Sequence, residues 1–135
     1  AVLLKKPKPP YDWTEYIFHF PELKEWIETL PFEQLFRVII YLVDPFCPLI
    51  LHMDWLEDTP NLPEFLLLKV TEEKRFFVYD KESGEKHTVT SPVAFFNESD
   101  WHGGEPLSKQ AVSIKVNGVF EKKVREYCGY DVTRF

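Results

Sequence analysis

Two histidines and one aspartate carry the chemistry that this sequence offers. His52 and Asp54 stand two apart at the end of an apolar run, LILHMDW, and His102 follows much later in SDWHGG. Alternate side chains of a strand share a face, so His52 and Asp54 are expected to point one way and Met53 the other. With Ile50 on the same side, the interior face would read apolar residue, imidazole, carboxylate. Burying that pair without partners is costly, and a metal ion satisfies both groups at once. Two imidazoles and one carboxylate can occupy one face of an octahedral Fe(II) and leave three positions open for reactants. The competing interpretation is plain: HxD is a common tripeptide, here an ordinary strand end, and His102 a turn histidine. His19 precedes a helical segment and His87 lies in the polar run EKHTVT with no carboxylate at ligand spacing, so neither is assigned to metal.

Elements able to position the three ligands follow from periodicity. PELKEWIETL has proline for a first helical turn, early glutamates, and Leu23, Trp26, Ile27 and Leu30 at helical spacing, with Pro31 to end it. From Phe36 the pattern becomes β-branched and continuous. FRVIIYLVD, CPLILHMDW, FLLLKV, RFFVYD, KHTVT, VAFFN and QAVSIKVNGVF are separated by proline- and glycine-bearing turns such as DPFCP, EDTPNLP and KESGE. Seven or eight short strands predict a mainly β fold, an antiparallel barrel or jelly roll, with an N-terminal helix and a short C-terminal helix. The expected organisation is one domain: an arm and helix over 1–34, a core over 35–120 and a helical segment over 121–135, with Gly129 as a candidate cap. AVLLKKPKPP reads as an extended arm lying on the domain. Gly103-Gly104 read as a tight turn beside His102.

Composition limits the function classes. The chain has 135 residues, 44% of them hydrophobic, and a formal charge of −6, which disfavours binding to nucleic acid. No apolar run reaches the length of a membrane span. Two cysteines without CxxC spacing read as thiols of a reducing compartment, so a cytoplasmic location is expected. The acidic loop WLEDTPNLPE (55–64) would discourage anionic substrates and favour basic or neutral ones.

The order HMD, then a lone His late in an all-β pattern, resembles the Fe(II)- and 2-oxoglutarate-dependent oxygenases, which are built on a double-stranded β-helix (a cupin-like jelly roll). On that resemblance FRVIIYLVD is strand I, LILHMDW strand II, VAFFNESDWHG strands VI–VII and AVSIKVNG strand VIII. It implies that His52, Asp54 and His102 hold Fe(II). It also implies that a basic residue on strand VIII binds the far carboxylate of 2-oxoglutarate: Lys115, with the hydroxyl of Ser113 beside it. The family more often has Arg at this position, and many members place it nearer the distal His, where this chain has Gln110 and Ala111. Lysine offers a point charge rather than a bidentate fork. Arg37 and then Lys69 are the reserve candidates, and Asn97, Asp100 and Tyr41 are further contacts. A solvated strand residue is the alternative for Lys115.

The implied reaction is hydroxylation of a small-molecule, amino-acid or peptide substrate by a monomer or homodimer. The rivals are a cupin-type metal protein that does not use 2-oxoglutarate and a non-enzymatic jelly-roll binding domain.

Overall fold

The computed structural model describes residues 1–52, 64–71, 76–97 and 101–128, with backbone alone at His52, Asn97 and Cys128. The strands are β1 (Val2–Lys5), β2 (Phe32–Val43), β3 (Leu49–His52), β4 (Glu64–Lys69), β5 (Phe76–Tyr79), β6 (Lys86–Thr88), β7 (Val93–Asn97), β8 (Trp101–Gly104) and β9 (Ala111–Phe120). They form two antiparallel sheets, one in the order β1-β2-β9-β4-β7 and the other β3-β8-β5-β6. From β2 onward the chain crosses repeatedly from one sheet to the other, which is the winding of a double-stranded β-helix. Among the described residues no helix is long and apolar enough to cross a membrane.

The large sheet is buried on both faces, which explains the continuous apolar runs of β2, β4 and β9. On its outer face Val38, Ile40, Leu66, Ile114 and Val116 pack with Leu4, with Ile17 of a 3-10 stretch (Glu15–His19), and with Ile27 of α1 (Pro21–Glu28). Helix α1 follows its sequence signals: Pro21 opens it, Glu22 lies in the first turn, and Lys24 pairs with Glu28 one turn on. The inner face carries Phe65, Leu67 and Phe96, which pack with Phe76 of the small sheet. Helix α2 (Lys122–Cys128) closes the described chain, and Gly129, its expected cap, lies outside the described residues.

Three sequence expectations change. Val2–Lys5 does not merely lie on the domain but pairs with β2 as the sheet's edge strand. The core sheet begins at Phe32, inside the segment 1–34 assigned to arm and helix, because Phe32 pairs with Phe120 directly after Pro31. Gly103 and Gly104 belong to β8 rather than to a turn. A Cβ at Gly103 would stand 2.7 Å from Phe77 Cζ and 3.0 Å from the Leu49 carbonyl oxygen, so the glycine lets β3 and Phe77 approach β8. Gly103→Ala is therefore expected to cost about 1–3 kcal/mol in urea unfolding, as overpacking does. It is also expected to weaken any metal held between β3 and β8.

The KESGE hairpin between β5 and β6 forms as its composition predicts, with Gly84 at φ 74°. The Asp80 carboxylate there accepts the Glu82 and Ser83 N–H groups and the Ser83 hydroxyl, which hold it below the usual carboxylate range.

Candidate functional site

Strand β8 lies at the centre of the small sheet between β3 and β5, and His102 is its second residue. His102 is 3% exposed and faces the inner side of the large sheet. Its ring lies 5.7 Å from that of Phe65 and 5.6 Å from that of Phe76, centroid to centroid, so aromatic edges restrict it on two sides. An ordinary turn histidine would be solvated, and this one is not. On β3, His52 stands directly opposite His102 in the strand register. Two histidines far apart in sequence are thus cross-strand partners in the backbone register. Asp54, the third expected ligand, lies outside the described residues. Among the described residues no three His, Cys, Asp or Glu side chains form a metal-binding group.

Ile50 does not share the interior face as expected: it is 79% exposed, and Leu49, itself 39% exposed, borders the cavity instead. Leu49 pairs with Gly104 and His52 with His102, so β3 spends one more residue than β8 over this stretch. That bulge breaks strict alternation along β3.

A cavity of about 230 Å³ lies between the sheets, bounded by His102 and Phe76 on one side and the inner face of β2, β9 and β4 on the other. It is smaller than the roughly 300–1,000 Å³ typical of drug-sized ligand sites, a size suited to a small acid rather than a dinucleotide. Strand register arranges the wall in levels. Tyr41, Ser113 and Lys69 are cross-strand neighbours on one level, Lys115 stands between Ile39 and Leu67 on the next, and Asn117 opposite Phe65 on the one after. Tyr41, Lys69, Ser113 and Lys115 all line the cavity, as does Arg37.

Lys115 is 7% exposed, which disposes of the solvated-strand alternative. Its Nζ lies 4.3 Å from the centroid of the Phe65 ring, a cation–π contact that leads the amine towards the aromatic surface also touching His102. Lys69 Nζ donates to the Val89 carbonyl oxygen at 2.6 Å. The cavity therefore joins a buried imidazole, two ammonium groups, a guanidinium and three hydroxyls (Tyr41, Thr71 and Ser113) on an apolar floor. That combination has the charge and donors that suit a small anion, and an imidazole is a nitrogen ligand of the kind metals take.

Other candidates separate clearly. His87 is exposed on β6 and His19 ends the 3-10 stretch on the outer side of the large sheet. Trp101 alternates away from His102, and Lys81 Nζ stacks on it at 3.8 Å, so it packs against the hairpin rather than the cavity. Asp100 lies outside the described residues. Sequence reasoning missed Phe65, Phe76 and Thr71 as lining residues and Asn117 as the partner of Arg37. The apolar members carry no signal beyond core composition, whereas Asn117, polar and two residues beyond Lys115 on the same face of β9, is a legible one.

No protein-family model matches this chain, and no curated protein matches it. Among solved structures it is similar to a Pseudomonas putida prolyl-4-hydroxylase, with a TM-score of 0.54 and 16% sequence identity. The likeness covers 79% of this chain and 66% of the hydroxylase, so the chain spans somewhat less than two thirds of that protein's length. At that identity the shared property is the fold, and the chain has the double-stranded β-helix in common with that hydroxylase.

Proposed function

We propose that the chain is an Fe(II)- and 2-oxoglutarate-dependent oxygenase acting on a small-molecule, amino-acid or peptide substrate. The observation that carries this reading is one cavity that joins His102, directly across from His52, to Lys115 and Ser113. The residues fit the implied groups. Imidazoles and a carboxylate suit Fe(II), and a buried ammonium beside a hydroxyl suits a carboxylate.

In this reading His52, Asp54 and His102 hold the metal, and Lys115 with Ser113 holds the far carboxylate of 2-oxoglutarate. The bound Fe(II) would supply oxygen activation coupled to oxidative decarboxylation of 2-oxoglutarate to succinate. The protein's own contribution is orientation and exclusion of water. Phe65 and Phe76 fix the His102 ring, and Phe65 carries the Lys115 ammonium on its face. The low polarity around Lys115 strengthens its attraction for a carboxylate relative to the same pair in water.

Iron content after loading and dialysis tests the reading. Wild-type protein is expected to retain one equivalent and Asp54→Ala to lose nearly all of it, while both unfold at similar urea concentrations. Equal retention by the two proteins would show that the metal, if bound, sits elsewhere.

A further inference from the structure

Arg37 is a further cationic group on the wall of the same cavity. Strand β2 pairs Leu35 with Gly118 and Val38 with Val116, so Phe36 and Arg37 together oppose the single residue Asn117. This is a β-bulge, and its consequence is visible on either side: Leu35 and Val38, three apart, both pack on the outer core. Arg37 shares the inner face with Ile39 and Tyr41 by alternation, and there it is half-buried and lines the cavity. Asn117, itself buried, accepts a hydrogen bond from Arg37 Nε through Oδ1 at 3.2 Å. A guanidinium has five N–H donors in a planar fork, and this bond occupies one of them while fixing the plane.

Position separates Arg37 from the cosubstrate residues. Along β9 successive inward positions are about 7 Å apart, two strand residues. Ser113 and Lys115 occupy two of these levels, and Asn117, with Arg37, occupies the next. Phe65 pairs with Asn117, and its ring touches both His102 and the Lys115 ammonium. A group bound beside His102 would therefore be close to the row of Arg37 and Asn117, while the far carboxylate of 2-oxoglutarate would lie towards Ser113, with Lys115 on the level between the two. Among the described residues that line the cavity there is no carboxylate.

We propose that Arg37, oriented by Asn117, binds a carboxylate of the substrate, so that the oxygenase acts on an acidic small molecule or an acidic side chain. This deepens the oxygenase reading and rests on it. It reverses the expectation drawn from the acidic loop 55–64, most of which lies outside the described residues, because the wall beside the reaction centre is cationic.

Calorimetric titration with glutarate, and with glutaramide as its neutral isostere, tests the assignment. On anaerobic Fe(II)-loaded protein saturated with 2-oxoglutarate, glutarate should bind and glutaramide should bind at least about tenfold more weakly, as expected for a charge-assisted pair. Arg37→Met should bring glutarate to the glutaramide level while changing 2-oxoglutarate affinity less than about twofold. Arg37→Lys, which keeps the charge but not the fork, should fall between. Equal binding of the two probes to wild type, or a matching loss of 2-oxoglutarate affinity in Arg37→Met, would overturn it.

A second arm needs no cosubstrate. Lys115→Met should still bind glutarate, and Lys115→Met with Arg37→Met should not. Glutarate binding abolished by Lys115→Met alone would leave no second anion site. Wild type that ignores 2-oxoglutarate, alongside Arg37-dependent glutarate binding in Lys115→Met, would sink the oxygenase reading and keep the anion site.

Discussion

Arg125→Ala is expected to lower the unfolding free energy by about 3–5 kcal/mol, the largest stability effect of any single substitution considered for this fold. Glu64, the first residue of β4, is 0% exposed, and Arg125 of α2 is 16% exposed. Arg125 Nε donates to Glu64 Oε2 at 2.9 Å and Nη2 to Oε1 at 2.7 Å, a bidentate pair. Oε1 also accepts the Phe120 N–H at 3.0 Å, so one carboxylate ties the start of β4, the end of β9 and α2 together. Removing the guanidinium leaves a buried charge with a single neutral donor, and that desolvation penalty dominates. The double substitution Glu64→Leu with Arg125→Met should recover most of the loss, because two apolar groups replace a pair whose net contribution is small. Urea unfolding of the two single variants and the double variant measures the cycle. A loss under about 1 kcal/mol for Arg125→Ala would mean that the pair behaves like a solvated surface bridge.

His102→Phe is expected to remove iron binding while leaving a cooperatively folded protein. The ring sits between Phe65 and Phe76, and a phenyl group fits that aromatic setting. Losing a direct ligand should weaken Fe(II) by more than the roughly 10–100-fold that loss of a group merely supporting a ligand brings. If His102 were only a packed core residue, the same substitution would shift stability and leave metal content alone. Elemental analysis together with a denaturation curve on the same sample separates these outcomes. Iron retained at the wild-type level in a folded His102→Phe protein would remove His102 from the site.

The parts of the fold legible in the sequence are those that rest on side-chain pattern. The β-branched runs of β2 and β9, the two prolines bracketing α1 and the glycine hairpin after Tyr79 all appear where composition places them. Cavity residues on β9 were legible too, since Ser113 and Lys115 share a face by alternation and the structure puts both on the cavity wall. What escaped is decided by backbone register. The bulges at Phe36–Arg37 and between Leu49 and His52 each add one residue, and nothing in composition announces them. One sends Ile50 outward against expectation, and the other sets Phe36 and Arg37 together against Asn117, whereas the inward face of Arg37 itself follows by alternation from Tyr41. Val2–Lys5 is too short, and too close to KKPKPP, for its pairing with β2 to be read without the partner strand in view. Gly103 looked like a turn glycine because glycine marks both turns and close strand contacts, and only the neighbours Leu49 and Phe77 distinguish them.

Anaerobic titration of metal-free protein with Fe(II), with and without 2-oxoglutarate, tests the oxygenase reading most directly. A weak visible charge-transfer band should appear only when both are present, vanish in His52→Ala, and require far more 2-oxoglutarate in Lys115→Met. Iron binding with no band at any 2-oxoglutarate concentration would contradict the cosubstrate assignment. Absence of iron binding would contradict the metal site itself and leave His52 and His102 as a cross-strand pair in a binding domain.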